Sequence, residues 1–171
     1  MMIIGAKTPL IPAKAGIPAF AGMSGGRVIA SMLAALVLSA CSAEPAPRIY
    51  DRDPSLPADL PFSSAVVEGD MIFLAGEIGR APGGVSVVPG GVGAETRQIF
   101  ENYKATLARV GGSLDDIVKC TVFLDDMSKF AEMNAAYLEY FPDEKPARST
   151  FGVDGLAMGA ALEIECLAVK R

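Results

Sequence analysis

Two acids and one arginine toward the C-terminus are the side chains of this sequence best suited to chemistry. Glu163 and Glu165 stand two apart in the segment ALEIECLAV at 161–169. Alternation along a strand puts both on one face, opposite Leu162, Ile164 and Cys166. A carboxylate held there can take a proton from water; a solvated face with two exposed acids is the plainer alternative. Arg148, in KPARST at 145–150, follows a loop and opens a strand. Its planar fork suits a carboxylate, with a surface ion pair as the alternative. Asn134 falls mid-helix between Met133 and Ala135, where it gains little locally and can clamp the helix to a loop. Cys120 and Cys166 lie in apolar strands and read as inert core thiols rather than nucleophiles.

What the sequence lacks narrows the chemistry further. There is no histidine, so triads, imidazole acid–base steps and His-ligated metals are excluded. The three cysteines, at 41, 120 and 166, make no CxxC, which argues against a zinc ribbon or a thioredoxin-like site. A net charge of −5 argues against a general nucleic-acid binder.

The charge divides the chain. Residues 1–40 contain Lys7, Lys14 and Arg27 and no acid, whereas 41–171 contain all 20 acids. The run VIASMLAALVLSA at 28–40 is uncharged, too short to span a bilayer comfortably, and of signal-peptide length. It ends in Leu38-Ser39-Ala40-Cys41, which resembles a bacterial lipobox. Residues 1–40 are therefore expected to be a signal peptide, with 1–22 an upstream extension from a misassigned start. Cys41 is expected to be acylated and to anchor a periplasmic protein to a lipid membrane; a secreted or soluble periplasmic protein is the alternative. Residues 41–60, rich in proline, read as a tether, and the folded domain as 61–171.

The elements that must position these groups follow from period and punctuation. Strands are expected at 64–67 and 71–75, turning at Glu68-Gly69-Asp70, with a short strand at 85–88. Residues 94–110 place Ile99, Tyr103, Thr106, Leu107 and Val110 on one helical face, stopped by Gly111-Gly112. A strand at 117–124 follows the SLDD turn. Ser128 is expected to cap a second helix, 128–140, with Phe130, Met133, Tyr137 and Phe141 inward. Final strands are expected at 147–153 and 162–169. The order β-β-(β)-α-β-α-β-β predicts an α+β fold, a mixed sheet with two helices on one face. No element remains for the other face, so self-association is expected.

Taken together, these segments resemble the Rid (YjgF-type) reactive-intermediate deaminases. The resemblance runs through Pro61-Phe62-Ser63-Ser64, GDMIFLAGEIG at 69–79, the helix–SLDD–strand–helix stretch at 95–141, KPARSTFGV at 145–153 and ALEIECLAV at 161–169. It implies a chorismate-mutase-like fold, a homotrimer with sites at the subunit clefts, and no metal or organic cofactor. It also implies hydrolysis of imines and enamines to 2-oxo acids and ammonia. Residue by residue, Arg148 matches the arginine that binds the substrate carboxylate and Glu163 the carboxylate that positions water. Gly76 matches the glycine that lines the pocket, and Asn134 a helix asparagine that is architectural or supports the site. The family's usual Tyr is Phe62, its Ser before the glycine is Ala75, its Gln after it is Glu77, and its Cys after the arginine is Thr150. A pocket with fewer hydroxyls and one more acid is thus expected, shifted toward a bulkier or different substrate. The rival readings are a non-enzymatic, membrane-displayed metabolite-binding or holdase-like trimer and, by fold analogy alone, a chorismate mutase.

Overall fold

The computed structural model describes residues 46–171. The apolar run 28–40, the extension 1–22 and Cys41 lie outside the described residues. Among those described, no helix is long and apolar enough to cross a membrane.

Seven strands form one sheet: β1 (Ile49–Asp51), β2 (Ala65–Glu68), β3 (Met71–Leu74), β4 (Glu77–Ile78), β5 (Ile117–Leu124), β6 (Ala147–Gly152) and β7 (Leu162–Val169). Their order is β1-β2-β3-β7-β5-β6, with β4 also paired to β7. Only β5 and β6 run parallel; the remaining pairs are antiparallel. Helix α1 spans Gly91–Arg109 and α2 spans Phe130–Leu138. This is the mixed α+β architecture expected from the sequence.

The hairpin between β2 and β3 turns at Gly69, whose φ of 58° is easy only for glycine. The periodic face of α1 is buried as the spacing predicts, Ile99, Tyr103 and Leu107 being at most 1% exposed. Each such side chain contributes roughly 1.5–3 kcal/mol of burial. Gly79 permits close approach of α1 to the sheet, because a Cβ there would meet the Glu95 Cα at 2.6 Å. Along β7, Leu162, Ile164 and Cys166 face the helices, while Glu163 and Glu165 face away.

Four expectations need correction. The folded unit does not begin at Pro61: Ile49–Asp51 pairs with β2, and Asp51 accepts a 2.8 Å hydrogen bond from Arg109 at the end of α1. The turn after β1 is held by Asp53, which accepts from the Ser55 backbone N–H at 2.8 Å, so prolines 54 and 57 punctuate a fixed turn. The strand expected at 85–88 reduces to one bridge, Arg80 to Val87, since glycines on both sides weaken pairing. Asp126, not Ser128, caps the turn before α2, accepting from the Ser128 N–H at 2.8 Å.

The fourth correction is chemical. Cys120 and Cys166 are not free thiols. They face each other across β5 and β7, Cα atoms 4.1 Å apart, and form a disulfide. Such a bond stabilises by about 2–4 kcal/mol, mainly by restricting the unfolded chain.

Candidate functional site

Glu163 lies on the sheet face away from the helices, next to the bend between β3 and β4. Its carboxylate is lodged against Gly76, where a Cβ would stand 2.0 Å from Oε1. That position must be glycine for the carboxylate to stay. Burial, and secondarily the like charge of Glu165, push the Glu163 carboxyl above the ordinary range. A base with a raised pKa takes a proton more readily near neutral pH.

The backbone on both sides of this contact is fixed by one residue of α1. The Tyr103 hydroxyl lies 2.9 Å from the Ala75 carbonyl and 2.5 Å from that of Ile164, and shares its one proton between these oxygens. Ala75 precedes Gly76 and Ile164 follows Glu163, so one hydroxyl sets both partners. The sequence reading placed Tyr103 only on a core face; its role depends on which strands meet beneath it.

Glu163 and Gly76 open onto a cavity of about 520 Å³, also lined by Leu56, Leu60, Phe62, Ala75, Glu77, Val85 and Met158. The extra acid, Glu77, is satisfied internally. It pairs with Arg80 Nε at 2.8 Å and accepts from Asn102 at 2.9 Å. Burial pushes its carboxyl upward, with Arg80 and Asn102 opposing. Arg80, only 6% exposed, also reaches Asp53 at 2.5 Å and so ties the turn bearing Leu56 to the cavity wall. Burial acts to raise Asp53, yet hydrogen bonds from Ser55 and the Arg80 guanidinium hold it at about 2. Leu56, Leu60 and Arg80 were missed in the sequence; the four-residue leucine spacing in a proline-rich stretch was the available signal.

Arg148 is elsewhere. Its register partner is Cys120, which faces the helices. Its guanidinium donates to the Asn134 Oδ1 at 2.6 Å and lies over the rings of Tyr137 and Phe130, 4.7 and 5.7 Å from their centroids. Asn134 therefore holds the arginine, and it ties α2 to strand β6 rather than to a loop as expected. Among the described residues Arg148 forms no ion pair. Thr150, two residues on, shares its face at the sheet edge. Burial pushes the Tyr137 hydroxyl up to about 12 against the pull of Arg148, and that hydroxyl has no hydrogen-bond partner among the described residues.

The expected site residues thus fall into two groups. Phe62, Ala75, Gly76 and Glu163 converge on the cavity, whereas Arg148, Asn134 and Thr150 cluster on the helix side of the edge strand. Within one chain the carboxylate and the arginine project from opposite faces. No three acids or thiols among the described residues converge as a metal site.

Comparison with known proteins agrees with this architecture. The family model described as Endoribonuclease L-PSP matches residues 54–170. The chain is 32% identical to the chloroplastic Reactive Intermediate Deaminase A of Arabidopsis thaliana over 162 residues, 95% of this chain and 87% of that one. It is 36% identical to the 2-iminobutanoate/2-iminopropanoate deaminase of Bos taurus over 110 residues, 64% of this chain and 80% of that one. The crystal structure of RidA from an Antarctic Psychrobacter superposes with a TM-score of 0.66 at 33% identity, covering 71% of this chain and 98% of the other. The chain belongs to the endoribonuclease L-PSP family, the YjgF/Rid proteins.

Proposed function

We propose that the protein hydrolyses 2-imino and enamine acids to 2-oxo acids and ammonia. The observation that carries this reading is the Glu163 carboxylate, raised by burial and seated on Gly76 at the wall of a mostly apolar cavity. An iminium carbon is already electrophilic, so the chain needs only to hold the substrate and deprotonate water. Water oxygen bonds to that carbon while its proton passes to Glu163, giving a neutral carbinolamine. Glu163 returns the proton to the nitrogen; as the C–N bond breaks, the carbinol hydroxyl gives its proton to Glu163, which passes it to the departing ammonia, so that the 2-oxo acid and an ammonium ion leave. The substrate carboxylate is taken by Arg148, whose fork is free of ion pairs among the described residues.

Because Arg148 and Glu163 face opposite ways in one chain, the working site takes Arg148 from a second copy. The family resemblance favours a homotrimer for that assembly, and the outer sheet face supports self-association with Phe73 and Phe151, 46% and 54% exposed. Light scattering is expected to give three times the monomer mass. Cys41 acylation and a periplasmic location rest on the run ending in LSAC; a disulfide pair suits such an oxidising compartment. The relatives' names support the chemistry, and a net charge of −5 favours a small substrate over RNA.

The deciding experiment generates imines in situ with an amino-acid oxidase and follows their loss through a trapping reagent. Faster loss with the purified protein supports the reading; an unchanged rate across several amino acids refutes it.

A further inference from the structure

We propose that the apolar wall beside Glu163 receives the substrate side chain and selects 2-imino acids with large apolar side chains over 2-iminopropanoate. This inference rests on the hydrolytic reading above and names its substrate class. The reaction itself uses only one end of the cavity, where Glu163 meets Gly76. With the imine carbon there and the carboxylate on Arg148, the rest of the space is left for the side chain. That space, in a cavity of about 520 Å³, is large for a methyl group and within the ordinary range for an organic ligand.

Its lining is apolar where a side chain would lie. Leu56 and Leu60 come from the turn fixed by Asp53 and Arg80, Val85 from the loop after β4, and Phe62 and Ala75 stand where the resemblance expects hydroxyls. The two charges nearby, Glu77 and Arg80, already satisfy one another and offer nothing to a polar substrate arm. Phe62, Val85 and Met158 are 49%, 40% and 63% exposed, three large apolar side chains around one opening that an apolar ligand would cover.

Met158 is the second, independent observation. It is the only non-glycine among the described residues with positive φ, at 58°, in the turn between β6 and β7. That backbone disfavours any residue with a Cβ, and Gly155 and Gly159 on either side show that glycine is available to the turn. The methionine there lines the cavity with a flexible, polarisable side chain, suited to side chains of several shapes.

The test uses the purified full-length chain. Imines generated from alanine, leucine, methionine and phenylalanine are compared by kcat/KM, and binding of pyruvate and 4-methyl-2-oxopentanoate is measured by calorimetry. The leucine- and methionine-derived imines are expected to react at least about tenfold faster than the alanine-derived one, and the larger oxo acid to bind at least about tenfold tighter. Met158→Ser, on an exposed turn, and Leu60→Ser are each expected to lower the leucine-to-alanine ratio at least about threefold. Equal rates across the imines, or a ratio unmoved by both variants, overturn this inference and leave the hydrolytic reading standing. Equal binding of the two oxo acids also overturns it, as when a second copy fills the wall. Hydrolysis of no imine overturns both.

Discussion

The two charged groups of the proposed site are held by opposite strategies. Glu163 is seated by backbone: a glycine beneath it, a tyrosine hydroxyl on the carbonyls at either side, and a strand on each flank. Arg148 is seated by side chains, two aromatic rings and one amide, at the free edge of the sheet. The first arrangement fixes the backbone around a carboxylate whose basicity burial and Glu165 raise. The second leaves a guanidinium able to turn toward a ligand. A base has to be aimed within tenths of an ångström, whereas a long cation holding a carboxylate tolerates movement.

The comparison is broken most sharply at Glu163. Glu163→Gln preserves shape and is expected to lower hydrolysis by about 10²–10⁴ while 2-oxo acid binding survives, read by steady-state kinetics and calorimetry. Since only the ionised carboxylate takes a proton, the wild-type rate should rise with pH along a limb above the ordinary carboxylate range. Removing the like charge with Glu165→Gln should move that limb to lower pH. A limb unmoved by this change would remove Glu165 as a cause.

Arg148→Ala loses charge-assisted hydrogen bonds worth roughly 1.5–3 kcal/mol, a tenfold to hundredfold weakening of carboxylate binding. Arg148→Lys should restore little, because the fork is gone. Mixing the two defects is more telling. If each site joins Arg148 of one copy to Glu163 of another, refolding Arg148→Ala with Glu163→Gln in equal amounts restores roughly a quarter of the sites by random assembly. A site contained in one chain restores none.

The smallest effect concerns acid. Asp53, held at about 2 against an unfolded value of 3.8, stabilises its turn above about pH 4 and loses that contribution as pH falls through 2. The cavity wall carrying Leu56 should therefore loosen in that window. The side chains that seat Arg148 are an amide and two aromatic rings, none of them a carboxylate. Amide exchange in 49–60 should accelerate between pH 4 and 2 while 130–138 stays protected; equal loss in both would show a global transition.

Much of this was readable in the residues. The β2–β3 hairpin, the face of α1, the alternation of β7 and the identities of Arg148, Glu163, Gly76 and Asn134 are local or motif-borne. What was not legible depends on partners. Ile49-Tyr50-Asp51 is too short to announce a strand and becomes one because β2 lies beside it. VSVV has strand-like residues, but the glycines on both sides limit its pairing to the single bridge from Val87 to Arg80. The cysteines, 46 residues apart, meet only once β5 and β7 are set in register. Parity within β6 and within β7 was clear, yet parity between them was not, so the opposed directions of Arg148 and Glu163 could not be foreseen.

That cysteine pair has a practical meaning. It closes residues 120–166 into a covalent ring that contains α2, β6, Arg148 and Glu163. A protease cut at the exposed residues 143–145 would open the ring without dividing the molecule. On a denaturing gel such a nicked chain runs as one species until a reductant is added, and then as two.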